Sequence, residues 1–110
     1  MTSYKCIIGY RQKTVHVDKR LKYCPHGSCG VVISQDGSVH LISYETRVIS
    51  IDASGKLDCS GTYSATTRKH IGAFLKEYAP NLNYYSAKSI AGKPVTMDIH
   101  TGEIEPIETA

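Results

Sequence analysis

The sequence predicts an α+β domain: an antiparallel β-meander of about four to six strands, one α-helix over about residues 65–78 packed on one face, and a C-terminal β-hairpin. Short apolar segments separated by turn residues favour hairpin-linked antiparallel strands, since parallel strands need long crossovers. One segment in the second half has helical periodicity. A length of 110 residues suits one core, so residues 1–110 are predicted to form a single domain.

The N-terminal residues predict two strands followed by a loop. The first segment alternates, and one face of it consists of Tyr4, Cys6, Ile8 and Tyr10. This alternation is typical of a half-buried strand. Residues 14–17 are β-branched or alternating and predict a short second strand. Residues 18–30 lack periodicity and contain turn formers, so they are predicted to be a loop and a candidate flexible segment.

The central residues predict an antiparallel meander. Segments 31–34 and 39–44 flank Asp36 and Gly37, which tolerate the positive φ of a type I′ hairpin turn. Segments 46–52 and 56–63 continue the alternation. The connections between these four segments are short enough to be hairpin turns throughout.

The helix prediction depends on an i, i+3, i+4, i+7 stripe formed by Ile71, Phe74, Leu75 and Tyr78. Ser64 or Thr66 can cap its start, and Pro80 ends it. Gly72 costs about 1 kcal/mol relative to alanine in a helix, so we expect it to mark a close approach between the helix and the sheet.

The C-terminal residues predict a hairpin and a tail. Segments 95–99 and 103–107 flank His100, Thr101 and Gly102. Pro106 cannot donate a ladder hydrogen bond, which marks the last strand as an edge. Residues 106–110 are predicted to be a flexible acidic tail.

Charge is distributed unevenly along the chain. Residues 1–93 contain all thirteen Lys and Arg side chains and six acids, a net charge of +7, whereas residues 94–110 have a net charge of −4. A basic body suits an anionic partner such as nucleic acid, although ordinary solubilising surface charge is the alternative. No apolar run approaches the roughly 20 residues of a membrane span, and no signal peptide is evident. The sequence therefore predicts a cytoplasmic protein without a membrane partner.

The predicted first helical turn is a candidate anion site. Its side chains add hydroxyls and cations to the free amides of a helix start, in Ser64, Thr66, Thr67, Arg68 and Lys69. Cations at this end oppose the helix dipole, which favours a bound phosphate or carboxylate. A capped helix with solvated cations is the alternative.

The predicted loop supplies a second candidate contact surface. Lys19, Arg20 and Lys22 surround Tyr23, and basic residues interleaved with tyrosine can pair with phosphates and stack on bases. A solvated loop is the alternative. Eight tyrosines against one Phe and no Trp leave rings available for such contacts or for protein interfaces.

Cys24, His26 and Cys29 are weak candidates for half of a zinc site. His16 or His40 could complete it only through the fold, and a local disulfide or plain reduced thiols are the alternatives. We therefore predict no metal and no cofactor. A Cys–His catalytic pair lacks an identifiable orienting residue, so an enzyme is not predicted. Cys6 and Cys59 fall in alternating segments and are interpreted as core residues.

The segment Tyr63-Ser64-Ala65-Thr66-Thr67-Arg68-Lys69-His70-Ile71, followed by Phe74-Leu75, resembles a family of small uncharacterised proteins of bacteriophages and prophage-bearing bacteria. Ser43-Tyr44-Glu45-Thr46 resembles a strand of that family. The resemblance covers roughly residues 30–78. It implies a small accessory protein of the kind that blocks or redirects host machinery, including CRISPR, and it transfers no catalytic role.

These observations predict a non-enzymatic, phage-type binding protein acting in the host cytoplasm. Its expected partner is a nucleic acid, or a host protein or nucleoprotein complex that handles nucleic acid, and anti-CRISPR-like inhibition is the expected activity. The alternatives are an assembly module that homodimerises through a sheet edge and a small Cys/His hydrolase or nuclease.

Overall fold

The computed structural model describes residues 2–59, 65–80, 95–100 and 104–106. These residues contain eight strands and one helix, and the predicted α+β class is confirmed. In chain order the elements are β1 (Thr2–Ile8), β2 (Arg11–Val17), β3 (Cys29–Ile33), β4 (Val39–Ser43), β5 (Thr46–Ile51), β6 (Lys56–Cys59), α1 (Ala65–Tyr78), β7 (Val95–Asp98) and β8 (Ile104–Pro106).

The strands form two antiparallel sheets. Strands β3 to β8 lie side by side in sequence order, so the predicted meander and the C-terminal hairpin make one six-stranded sheet. Pro106 lies on its edge strand β8, as predicted. Strands β1 and β2 pair with each other and form a separate two-stranded ribbon. The C-terminal part of the predicted 56–63 strand lies outside the described residues, as do residues 107–110 of the predicted tail.

The β3–β4 hairpin is confirmed, but its predicted type I′ turn is wrong. Within this turn only Gly37 has positive φ (91°), and its N–H donates to Ser34 O at 3.0 Å. This pattern is a tight turn followed by a left-handed glycine. Asp36 instead uses its carboxylate to accept a hydrogen bond from Ser38 N at 2.9 Å, which closes the loop without positive φ at that residue.

Helix α1 packs on one face of the six-stranded sheet. Ile71, Phe74 and Leu75 are buried as predicted, against core residues that include Leu41, Ile49, Leu57 and Met97. Tyr78 is only partly buried. The expectation for Gly72 is wrong: it is exposed, and a Cβ built on it meets nothing within 4 Å. Among the described residues, no helix has the length and apolar character needed to cross a membrane.

The ribbon packs on the opposite face of the sheet. Tyr4, Cys6 and Val17 form a small core with a set of partly buried residues that includes Val32, Ile42 and Tyr44. The β3–β4 end of the sheet is thus covered by the helix on one side and by the ribbon on the other. Cys6 and Cys59 are both buried, so their interpretation as core residues is confirmed.

The segment between β2 and β3 is anchored to the fold, contrary to the expectation of a flexible loop. Leu21 is fully buried in the main core. Lys19 exchanges backbone hydrogen bonds with Val31, and the Asp18 carboxylate accepts a hydrogen bond from Ile33 N at 2.7 Å. A loop with one buried leucine and occupied backbone groups has fewer accessible conformations than its composition suggests.

Candidate functional site

Positive charge is concentrated at the N-terminal end of the chain. Residues 1–22 contain six Lys and Arg side chains and one acid, a net charge of +5, whereas the remaining residues have a net charge of −2. These residues build the β1–β2 ribbon and the start of the segment that follows it. Three of these cations (Lys5, Arg11 and Lys13) lie on the ribbon, and the other three (Lys19, Arg20 and Lys22) lie on the loop that follows it.

The outer face of the ribbon is polar and exposed. Directly paired residues on antiparallel strands project to the same side, and the outward pairs are Ser3–His16, Lys5–Thr14 and Ile7–Gln12. Tyr10 at the tip is fully exposed, and Ile7 is 72% exposed. This outer face therefore presents a cation, hydrogen-bonding side chains and two apolar groups to solvent.

The predicted basic loop separates into fixed and exposed residues. Lys19 pairs with Glu77 at 3.2 Å. The Arg20 guanidinium donates to Gly27 O at 2.5 Å and lies over the Tyr4 ring. Both cations hold the loop in place. Tyr23 is 45% exposed.

The exposed Tyr23 ring lies close to two lysines. Lys22 Nζ is 5.5 Å and Lys76 Nζ is 4.4 Å from the ring centroid. Lys22, one of the candidate contact residues, is exposed. Lys76 was not predicted, because it lies on α1, far along the sequence from the loop. The surface thus combines an aromatic face with two cations.

Replacing Glu77 by glutamine is expected to loosen this loop at neutral pH and to have little effect in acid. Glu77 accepts a hydrogen bond from Lys22 N at 2.6 Å and pairs with Lys19. Burial opposes its ionisation, but these contacts outweigh burial and hold the pKa of Glu77 below its ordinary value. The stability that ionised Glu77 contributes is therefore fully present above the unfolded carboxyl pKa of about 4.3. It is lost as the pH falls through the lower pKa that Glu77 has in the folded protein.

Urea unfolding checks this expectation. The variant should lose about 1–2 kcal/mol at neutral pH, and the difference should close in acid. Glu45→Gln is the control, because its pair with Lys13 is at the surface and should contribute little. An equal loss for Glu77→Gln at neutral and acidic pH would contradict the titration argument.

The helix start partly matches the predicted anion site. Thr66, Arg68 and Lys69 are exposed, and within the described residues neither cation forms an ion pair. Thr67 differs from the expectation: it is buried, and its hydroxyl lies 3.1 Å from Ser43 Oγ. Its position on the sheet-facing side of α1 turns it inward. Ser64 lies outside the described residues.

A cysteine–histidine cluster lies where this helix start meets the sheet. The donor atoms of Cys24, Cys29 and His70 all lie within 4.8 Å of one another. Cys29 begins β3 and is paired with Ser43 at the end of β4, directly beneath α1. His70 Nδ1 is 2.8 Å from Ser43 Oγ. The three residues come from the loop, a strand and the helix.

His70, not His26, is the histidine of this cluster. His26 is exposed on the loop, so the sequence-based candidate set is corrected. Of the other predicted histidines, His16 lies on the outer face of the ribbon, and His40 is held between Ser34 and Ser50 at 2.8 and 2.7 Å. A signal for His70 existed: Thr67, His70, Ile71 and Phe74 follow the i, i+3, i+4, i+7 rule, which places a histidine on the buried face.

Burial shifts the pKa values of Cys29 and His70. It raises the pKa of Cys29 to about 12, with the neighbouring Cys24 thiol acting in the same direction. Burial also lowers the pKa of His70. A neutral thiol is a poor nucleophile, whereas a neutral imidazole keeps one nitrogen lone pair available for a hydrogen bond or a metal.

A polar groove of about 390 Å³ lies on the open face of the sheet, lined by Ser38, His40, Arg47, Ser50, Asp52, Lys56, Asp58 and Thr96. The charges of Arg47 and Lys56 are balanced by those of Asp52 and Asp58. The groove therefore does not select an anionic or a cationic ligand by net charge.

Comparison with known proteins identifies a family. A model of a family of unknown function (DUF8033) matches residues 3–92, and the chain belongs to that family. The match includes the ribbon and the loop, which lie outside the resemblance over residues 30–78. It also includes all three residues of the cysteine–histidine cluster. Searches of curated proteins and of solved structures found no match.

Proposed function

We propose that this member of the family is a non-enzymatic binding protein that contacts nucleic acid through the outer face of the β1–β2 ribbon. The observation that carries the proposal is the basic ribbon: residues 2–17 contain Lys5, Arg11 and Lys13 and no acid, and the side chains of the outer face are exposed. Lys and Arg that neutralise phosphates release condensed counterions, and this release drives nucleic-acid binding.

The shape of the ribbon supports the same proposal. Seven-residue strands at about 3.4 Å per residue are roughly 20 Å long, and the major groove of B-DNA admits a two-stranded β-ribbon. Lys5 on the outer face would contact one phosphate, and Arg11, which pairs with Ile8 next to the tip and is exposed, would reach another around the edge of the ribbon. Gln12 and Thr14 would donate to and accept from base edges. Tyr10 at the tip offers a ring for stacking on an exposed base.

Titration of labelled duplex DNA, single-stranded DNA and RNA at several salt concentrations tests this function. We expect tighter binding at low salt, with a log–log slope of about 0.9 in magnitude for each duplex phosphate that the protein neutralises. Lys5→Glu with Arg11→Glu should reduce both the affinity and the slope. Lys56→Glu is the matched charge control, because Lys56 is exposed on strand β6, outside the ribbon.

Two results would reject the proposal. One is a wild-type protein that binds none of the three nucleic acids at low salt. The other is an equal loss of binding in the Lys56→Glu control, which would indicate a general charge effect. Lys69→Glu, made separately, reports whether the helix start contributes.

The resemblance supports a finer proposal about setting. We propose that the protein is a phage-type accessory protein of the host cytoplasm, which binds the nucleic acid of a defence complex such as CRISPR and inhibits it. Expression in bacteria carrying an active CRISPR system should raise phage plating efficiency, and the Lys5→Glu, Arg11→Glu variant should not. Equal plating with and without the wild-type protein would reject this setting for the system tested.

The alternatives receive less support from the described residues. Dimerisation through β3 is disfavoured because Asp18 and Lys19 occupy backbone groups along its edge. A hydrolase based on Cys29 is disfavoured because the Cys29 side chain is fully buried, and this burial raises the pKa of its thiol.

A further inference from the structure

The cysteine–histidine cluster brings three metal-binding side chains together from separate elements. Cys24 comes from the loop, Cys29 from the first position of β3, and His70 from α1. Their donor atoms lie within 4.8 Å of one another. Such convergence requires the folded chain, since His70 is distant from both cysteines in sequence.

The ring of His70 is oriented by the residues behind it. Its Nδ1 is hydrogen-bonded to Ser43 Oγ at 2.8 Å, and Ser43 Oγ lies 3.1 Å from Thr67 Oγ1. With Nδ1 engaged in this way, Nε2 is left on the side of the two thiols. Metal-binding histidines typically donate their other ring N–H to an oxygen of this kind.

Gly27 leaves open the space between the three donor atoms. A Cβ built on Gly27 would lie 2.6 Å from Cys24 Sγ, 3.2 Å from His70 Nε2 and 3.4 Å from Cys29 Sγ. One point is therefore close to all three donors at once, and the absence of a side chain keeps it clear. An alanine here would place a methyl group among the donors.

We propose that Cys24, Cys29 and His70 bind a zinc ion in a three-ligand site, with water or an incoming ligand in the fourth position. Zinc bonds of about 2.3 Å to sulfur and about 2.0–2.1 Å to nitrogen place tetrahedral donors about 3.5–3.8 Å apart. The donor atoms are at most 4.8 Å apart, so a bound ion would draw them together by no more than about 1 Å. Two thiolates and an imidazole select zinc over magnesium or calcium, which prefer oxygen.

Zinc binding releases protons from the cysteine thiols. Each cysteine loses its thiol proton to solvent as its sulfur bonds to the metal, so one Zn²⁺ replaces about two protons. His70 binds through the Nε2 lone pair. Its proton stays on Nδ1, in the hydrogen bond to Ser43 Oγ. The ion would link the loop, strand β3 and helix α1. This proposal does not depend on whether the ribbon binds nucleic acid.

Metal titration of the reduced, full-length protein tests the proposal. We expect about one zinc ion per chain, a rise in melting temperature with zinc concentration, and thiolate-to-metal charge-transfer absorption when Co²⁺ replaces zinc. Cys24→Ser should abolish the cobalt spectrum, whereas Cys6→Ser, a buried thiol of the other core, should preserve it. Gly27→Ala keeps every ligand and should weaken zinc binding at least ten-fold. Circular dichroism confirms that each variant is folded.

Three outcomes would overturn the assignment. The first is a folded, fully reduced wild type that gives no thiolate–cobalt absorption. The second is a Cys24→Ser spectrum equal to that of the wild type. The third is a Cys24–Cys29 disulfide in protein prepared under reducing conditions, combined with no metal uptake after its reduction.

Discussion

Replacing Phe74 by alanine is expected to lower the free energy of unfolding by about 3–5 kcal/mol. Phe74 is fully buried between α1 and the six-stranded sheet, and its ring lies 5.0 Å from that of Tyr78. Truncation removes buried apolar surface and leaves a cavity that a closely packed core fills only in part. Because small domains have total stabilities of about 5–15 kcal/mol, the variant should unfold at much lower urea concentration, as measured by circular dichroism.

Gly72→Ala is the matched control on the same helix. It lies two residues away on the exposed side, where a methyl group meets open space. It should raise stability by about 1 kcal/mol through helix propensity. A decrease of less than about 1 kcal/mol for Phe74→Ala, or a destabilising Gly72→Ala, would mean that a different face of α1 packs on the sheet. Either result would also displace His70, which lies on the same face one turn earlier.

Local periodicity was sufficient to predict the helix and the meander. The stripe of Ile71, Phe74 and Leu75 identifies the buried face of α1 because side chains three and four positions apart lie together on a helix. The hairpins follow from short turns between alternating segments. By contrast, no local pattern indicates that β1 and β2 form their own ribbon. Whether they join the main sheet depends on where the buried side chains of Tyr4 and Val17 pack, and they pack on the face of the sheet opposite the helix.

The candidate metal site could be predicted only in part, for a related reason. Cys24 and Cys29 lie close in sequence, and their spacing suggested half a site. The third ligand depends on β3 and β4 pairing Cys29 with Ser43 and on α1 crossing above that pair. His26 was favoured because it lies between the two cysteines in sequence. In the fold, however, His26 is exposed and His70 faces the thiols.

Replacing Gly30 by alanine is expected to displace the β1–β2 ribbon from the sheet. A Cβ at Gly30 would lie 2.5 Å from Val17 Cγ2, 2.9 Å from Val17 Cγ1 and 2.9 Å from Val17 Cβ. Both residues are buried, so neither can move away freely, and overpacking of this kind costs about 1–3 kcal/mol. Hydrogen exchange should accelerate at β1 and β2 amides while β4 and β5 stay protected, because the six-stranded sheet keeps its own helix-covered core.

A double-mutant cycle separates this clash from a general decrease in stability. Val17→Ala removes two of the three close atoms, so the Gly30→Ala, Val17→Ala protein should be more stable than the two single variants predict, by about 0.5–3 kcal/mol of coupling. Additive effects would show that the two residues do not contact each other.

The same variants also test function. If nucleic acid binds the ribbon as docked on the sheet, Gly30→Ala should weaken binding and Val17→Ala should partly restore it. Unchanged binding by a Gly30→Ala protein with a displaced ribbon would mean that the ribbon acts without support from the sheet.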